Sequence, residues 1–319
     1  MSATTAPARS RPEARQAAPP HGAAAPRPAA APRRRRLAPA LMVTPALLLA
    51  FVFVLLPAVL SFVGSFFRIP LTGGSWEFVG LGNYTALLGD TSARKAITNT
   101  AVYSVVTIVP SLAIGLALAL ATDALTRGKA LARTLLFLPM TANLVAMAVT
   151  FKWIFDLRGG FANQLLGLVG LAPVNWLGST DTSLLTVALV GIWRTASFTM
   201  MIFFAGLTTI PGTMNEAARM EGITGWTKLT RITLPAMRPS VIFAVVMAIL
   251  QSVQAFDTVR VMTDGGPRYS TELIQTLTWR YGFEYFNLGA ASALNFLLLL
   301  ALLAVGLWQR KALLGSEDR

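Results

Sequence analysis

Cysteine is absent from the 319-residue chain, and histidine occurs once, at position 21. The first absence excludes disulfides, thiolate nucleophiles and Cys-based zinc sites. The second removes His-dependent triads and most metal chemistry. Charge is also scarce: 13% of residues are charged, about half of what a soluble domain carries. With 54% hydrophobic residues, much of the surface is therefore expected to face something other than water. No G-x-x-x-x-G-K-[ST] phosphate loop is present, so the chain is not expected to hydrolyse ATP itself.

What the chain has instead is long apolar runs and a basic excess of +13. A basic chain can signal nucleic acid, but here the charges cluster at the ends of apolar runs and in one tail, which is topology rather than a nucleic-acid patch. Residues 1–36, rich in Ala, Pro and Arg, lack the apolar content to build a core and read as a disordered cytoplasmic tail. The tail ends in Arg33-Arg34-Arg35-Arg36, a topological anchor. Six apolar runs follow, near 37–67, 97–122, 131–151, 183–207, 240–260 and 288–308, each long enough for the ~20 residues that cross a bilayer. The expected fold is therefore an all-α integral membrane protein with about six transmembrane helices over 37–310 and a short cytoplasmic tail, 311–319. Pro45 and Pro57 predict a kink or an interfacial start in the first run, and Pro110 and Pro139 predict bends in the second and third.

Charge sets the expected orientation. With the N-terminus inside, 18 Lys and Arg fall on the cytoplasmic side against 8 outside, while Asp and Glu reverse the trend, 6 against 8. That asymmetry satisfies the positive-inside rule and puts both termini in the cytoplasm. The outside segment 152–182 holds Phe161, Leu165, Leu166, Leu168 and Val169, spaced for a short helix lying in the interface, followed by Pro173 and Trp176.

The polar stretch 208–239 is cytoplasmic by parity and the most informative part of the chain. Pro211-Gly212 makes a turn, Asn215 is placed to cap a short helix with Glu216 in its first turn, and Gly222 is placed to end it in a left-handed conformation. A second helix is expected from Thr224 to Ile232, stopping at Leu234-Pro235. Met220, Ile223, Trp226, Leu229 and Ile232 would give this knob its apolar contacts.

Glu216-Ala217-Ala218, three residues, Gly222, nine residues, then Ile232-Thr233-Leu234-Pro235 resembles the EAA loop of binding-protein-dependent ABC importer permeases. Glu221, Ile223 and Leu229 stand where that pattern usually has Asp, Ala and Phe. The resemblance extends over about 40–310. Gly160-Phe161-Ala162-Asn163-Gln164-Leu165-Leu166, Ile192-Trp193-Arg194, and Thr263-Asp264-Gly265-Gly266-Pro267 with Ser270-Thr271-Glu272 are similar to segments of the sugar-type members, the maltose and glycerol-phosphate kind. On spacing alone, Gly265-Gly266-Pro267 is a tight turn.

The resemblance implies an ABC importer type I permease fold in the bacterial inner membrane. It also implies a coupling role for Glu216, Ala217, Ala218, Glu221, Gly222, Ile232, Leu234 and Pro235. The implied partners are two ATP-binding cassette subunits, a second permease of the same kind and an external solute-binding protein, with the lipid bilayer around them and no nucleic acid. ATP would be used by the partner ATPase, and no cofactor would be bound by this chain.

Arg194, near the middle of the fourth run, is costly unless it faces protein or a water-filled cavity. With Gln251, Gln254, Phe256, Asp257 and Asn295 it forms a candidate substrate pathway, since sugars need planar hydrogen-bonding groups and aromatic faces. The competing reading is a structural Arg194–Asp257 pair joining two helices. Two functions from other classes remain open at this point: a secondary transporter, which would need more ionisable groups inside the membrane, and a non-transport membrane scaffold.

Overall fold

The computed structural model describes residues 34–70 and 75–314, with side chains over 42–70 and 75–312. Expectations for residues 1–33, His21 and Arg33 among them, for 315–319, and for the side chains of Arg34, Arg35 and Arg36 lie outside the described residues. By backbone contacts the chain divides into two units, Met1–Phe53 and Val54–Arg319. In the first, the described part is helical from Arg34, earlier than the expected start at 37.

The second unit holds the bundle. Among the described residues, five helices are long and apolar enough to cross a membrane: Met42–Gly64, which begins in the first unit, and Thr91–Ala124, Ser183–Thr208, Arg238–Met262 and Leu288–Ala312 in the second. The third expected run is not one straight helix. It is a pair, Lys129–Thr141 and Leu144–Ile154, bent by 92°, and it makes a sixth span only if the pair counts as one. The cause is local. Pro139 removes an N–H near the end of the first piece, and Asn143 starts the second, its Oδ1 accepting from the Val145 and Ala146 amides at 3.0 and 3.1 Å. At Pro110 the helix Thr91–Ala124 runs through without a break. Pro57 follows directly on a π-helical turn, Phe51–Leu55, within the first span.

Packing follows membrane rules, with small residues where helices cross. A Cβ on Gly115 would lie 2.2 Å from Thr199 Oγ1, and one on Gly191 would lie 2.4 Å from the Tyr103 hydroxyl. The same crossing carries Thr199 Oγ1 donating to Ser111 O at 3.0 Å and Ser111 Oγ to Ile192 O at 3.3 Å. Three apolar clusters are stacked along the bundle. Ala93, Ala96, Leu277, Tyr281 and Ala290 close one end; Tyr103, Met147, Val187, Val190 and Val259 fill the middle; Ala119, Met200, Phe203 and Met237 close the other. Since Ala93 and Ala119 share one helix, the two end clusters are about 40 Å apart at 1.5 Å per residue.

Between the spans, Phe67–Arg68 pairs antiparallel with Glu77–Phe78. Phe161–Leu168 forms the expected short helix. Its Phe161, Leu165 and Leu168 are exposed, while Asn163 is buried and binds the 157–176 loop, accepting from the Val174 amide and from Trp176 Nε1.

Candidate functional site

Three features stand out, and the first is the polar segment 212–236. Helix Gly212–Met220 begins at Pro211, so Asn215 lies inside it rather than at its cap, and Glu216 lies beyond the first turn. Its C-terminus is as expected from Gly222, which has φ +69°. The Ile223 amide donates back to Ala218 O at 2.8 Å and the Gly222 amide to Arg219 O at 3.1 Å. This six-to-one and five-to-two pair is a Schellman closure and needs a left-handed residue at position 222.

The second helix does not stop at Leu234-Pro235. It runs Gly225–Lys228, widens to a π-helical turn over Leu229–Thr233, and continues through Leu234–Ala236. The Leu234 amide reaches back five residues to Leu229 O. Pro235 then stands in the first turn of the last piece, where it needs no donor. Met220 and Trp226 do not pack inside the knob: they are 90% and 76% exposed. Glu216 and Glu221 are exposed as well. An open groove between the two helices is lined by Ala217, Ala218, Glu221, Ile232 and Pro235. The segment thus presents two large bare hydrophobes and two exposed carboxylates on a corner closed by these backbone bonds.

The second feature is a cavity of about 200 Å³ between the spans Thr91–Ala124, Ser183–Thr208 and Arg238–Met262. Arg194, Gln251, Gln254, Phe256 and Asp257 all line it, together with Tyr103 and Thr107. Arg194 Nη1 donates to Gln251 Oε1 at 3.3 Å. Among the described residues no Arg194–Asp257 ion pair forms within 4.0 Å, and the contact from Arg194 to the fifth span is the one to Gln251. Among the described residues, Arg194 Nε and Gln251 Nε2 have no hydrogen-bond partner.

The wall of this cavity is also where a spanning helix is interrupted. The regular helix ends at Val253 and resumes at Asp257, with Gln254, Ala255 and Phe256 between. Non-helical backbone at membrane depth is tolerated where it is covered by protein or lines an aqueous cavity. Sequence reasoning selected five of the six candidate residues around this cavity. Asn295 lies elsewhere, in a neighbouring groove with Gln275 and Trp279.

The third feature is the turn around Gly265-Gly266-Pro267, near the end of the bundle remote from 212–236. The Gly266 amide donates to Thr263 O at 3.0 Å, with Asp264 and Gly265 both at positive φ, 52° and 77°. A Cβ on Gly265 would sit 2.1 Å from Glu272 Oε2, so glycine is required for space as well as for conformation. Glu272 is fully buried and pairs with Arg280 at 3.2 Å. Arg280 also binds Glu284 at 2.8 Å and Asp264 O at 3.0 Å, and Arg260 joins Asp264 and Glu284. Burial pushes the Glu272 carboxyl above the usual carboxylate range, against the pull of Arg280. Lys95 and Asn99 tie the turn to the next helix by donating to Arg268 O and Tyr269 O at 3.1 and 2.8 Å. The sequence alone did not single out Arg260, Arg280 or Glu284: the Arg260–Asp264 and Arg280–Glu284 spacings of four are ordinary for exposed helix charges, and the Arg260–Glu284 and Arg280–Glu272 pairs that join them form only on folding. Among the described residues, no group of three or more His, Asp or Glu side chains is placed to hold a metal ion.

Comparison with known proteins adds to this geometry. Residues 111–313 match the family described as binding-protein-dependent transport system inner membrane component. The chain is 31% identical over 270 residues to the trehalose/maltose transport system permease protein of Thermococcus litoralis, covering 82% of this chain and 89% of that one. It is 32% identical over 255 residues to the sulfoquinovosyl glycerol transport system permease protein of Agrobacterium fabrum, covering 80% and 82%. A chain in the solved structure of a bacterial alginate ABC transporter, in complex with its alginate pentasaccharide-bound periplasmic protein, superposes with a TM-score of 0.76 at 20% identity over 86% of this chain and 93% of that one. At that identity the likeness speaks for the fold alone.

Proposed function

The chain belongs to the family of binding-protein-dependent transport system inner membrane components, and from that premise we propose that it forms half of the translocation pathway of a sugar importer. It is a multi-pass membrane permease subunit, a transporter component rather than an enzyme. Carbohydrate as cargo is supported by the relatives named for trehalose and maltose and for sulfoquinovosyl glycerol. It is also supported by the chemistry of the Arg194 cavity, where a guanidinium and two amides offer directed donors to sugar oxygens beside the Phe256 ring.

In this reading the 212–236 corner docks on an ATP-hydrolysing subunit in the cytoplasm. Exposed Met220 and Trp226 supply the apolar contacts, while Gly222 fixes the angle between the two helices. Two such ATPases, a second permease and a solute-binding protein would complete the machine, and the positive-inside asymmetry supports both termini lying on the side of the ATPases. Nucleotide binding and the loaded binding protein favour the same state of a two-state bundle, so each raises the population that the other selects. The observation that carries the proposal is the interruption at Gln254–Phe256 opening onto a polar cavity at membrane depth.

The test is co-purification from native membranes in mild detergent, with the associated chains identified by mass spectrometry. The cognate binding protein is then screened against a panel of mono- and oligosaccharides. Recovery of an ATPase and a second permease, with a binding protein that retains a sugar, is expected. A monodisperse chain with no ATPase, under conditions that keep a known importer intact, would point to a secondary transporter or a scaffold. A binding protein that retains amino acids or metal ions would remove sugar as cargo.

A further inference from the structure

Beside the Arg194 cavity lies a second, more open groove of about 460 Å³, lined by amides as well as rings. One side is a row of rings. Phe256 and Trp279 have centroids 6.5 Å apart, and Trp279 and Phe283 are stacked at 5.8 Å with 28° between planes. The Arg260 guanidinium, 3.9 Å from the centroid of Trp279, occupies one face of that indole and holds it in place. The groove also holds two amides, Gln275 on the same helix as Trp279 and Phe283, and Asn295 on the last span. Neither makes a side-chain hydrogen bond to any described residue, and neither does Gln254, which lines the adjoining cleft with both of them. Amides in a membrane-embedded bundle are retained where water or a ligand satisfies them. Phe256 lines both the Arg194 cavity and this groove, so the two are adjacent and share that ring as a wall.

We propose that the groove between Ile274–Phe283 and the last span is a second carbohydrate subsite. A sugar ring would stack its C–H face along Trp279 and Phe283, and its hydroxyls would bind Gln275 and Asn295. The inference rests on the sugar-importer reading and deepens it. With one ring here and another past Phe256 beside Arg194, the pathway is built for an oligosaccharide passing in steps rather than for a monosaccharide. Lipid tails have no use for unpaired amides, and a partner helix would leave those donors as costly as they are now unless it brought matching acceptors. A chain of sugar rings offers stacking faces and acceptors together.

The experiment uses the assembled importer in proteoliposomes. The probe is the radiolabelled oligosaccharide retained by its own binding protein, with the matching monosaccharide alongside. Trp279→Ala, Gln275→Ala and Asn295→Ala are expected to raise the apparent KM for the oligosaccharide tenfold or more, with Trp279→Phe restoring most of it and the monosaccharide affected less. Because the chain has no cysteine, Gln275→Cys and Asn295→Cys report directly on what fills the groove, with modification of this chain read by mass spectrometry. Both are expected to react with the impermeant reagent methanethiosulfonate ethylsulfonate and to be protected by the oligosaccharide. Reaction only with a lipophilic maleimide would assign the groove to lipid. Reaction only after the second permease is stripped away would assign it to the subunit interface. Either result overturns the proposal, as does unchanged oligosaccharide KM in all three alanine variants. Wild-type vesicles that accumulate no sugar would instead remove the importer reading itself, and the subsite with it.

Discussion

Replacing Gly222 isolates the mechanical role of the cytoplasmic corner, because nothing lies within 4 Å of where its Cβ would stand. A substitution there meets no neighbour, so the whole effect is conformational. The residue holds φ +69°, and the closure it permits ties Ile223 to Ala218 and Gly222 to Arg219. An L-residue in that region costs about 1–2 kcal/mol, less for Asn and more for a β-branched side chain. At about 1.4 kcal/mol per factor of ten, an alanine would deplete the closed corner roughly 5- to 30-fold relative to its open alternatives. The damage should stay local, since the corner is exposed and the bundle packs without it. In reconstituted vesicles, sugar uptake coupled to ATP hydrolysis is therefore expected to fall in the order Gly, Asn, Ala, Val. The amount of chain in the membrane and its thermal stability should change little. A Gly222→Val importer with wild-type uptake would refute the reasoning, and so would a variant that loses uptake only because the chain disappears from the membrane.

Other expectations follow from the sites inside the bundle. Arg194 makes one long hydrogen bond, worth about 1 kcal/mol, whereas placing a charge at membrane depth costs roughly 3 kcal/mol. Arg194→Gln should accordingly leave detergent-solubilised stability unchanged or raised while uptake falls at least tenfold; a large loss of stability with substrate range intact would restore a structural role. Gly265→Ala brings both a Cβ clash with Glu272 and a disfavoured φ, so a loss of about 1–3 kcal/mol from the backbone alone is expected in thermal unfolding. Glu272 binds its proton more tightly in the folded state. Its contribution to stability is therefore greatest below the ordinary carboxylate pKa and declines as pH rises through the window up to its raised value. Melting temperature followed across that window should slope downward in wild type and flatten in Glu272→Gln.

Much of the architecture was legible because a membrane imposes long apolar runs, and five of the six expected runs appear as single candidate spans. The left-handed Gly222 was legible because helix termination there has a local chemical cause. The 92° bend was only half legible. Pro139 was read as a bend, but Asn143 acts through its own backbone two and three residues on, a signal that an apolar average conceals. Met220 and Trp226 were assigned to the interior of the knob on hydrophobicity alone, and exposure reverses that. In a subunit that docks, the outermost residues are apolar for the same reason that core residues are. The cavity was legible in Arg194 and Gln251 because polar residues in apolar runs are conspicuous. Gln275 and Trp279 were missed because they lie between spans, where polar residues raise no question until folding sets them against Asn295 and Phe256. Glu272 was read only as part of a loop resemblance, and its pairing with Arg280, and that of Arg260 with Glu284, appears only once the chain is folded.

The coupling claim is tested most directly at Met220, the most exposed apolar side chain of the 212–236 corner. A photo-crosslinking amino acid at this position, irradiated in intact membranes, should join the chain to an ATP-binding cassette subunit in a yield that changes with nucleotide. Crosslinks to lipid or to no protein at all, in membranes where the assembled importer is present, would contradict the assignment of this corner as the link to ATP hydrolysis.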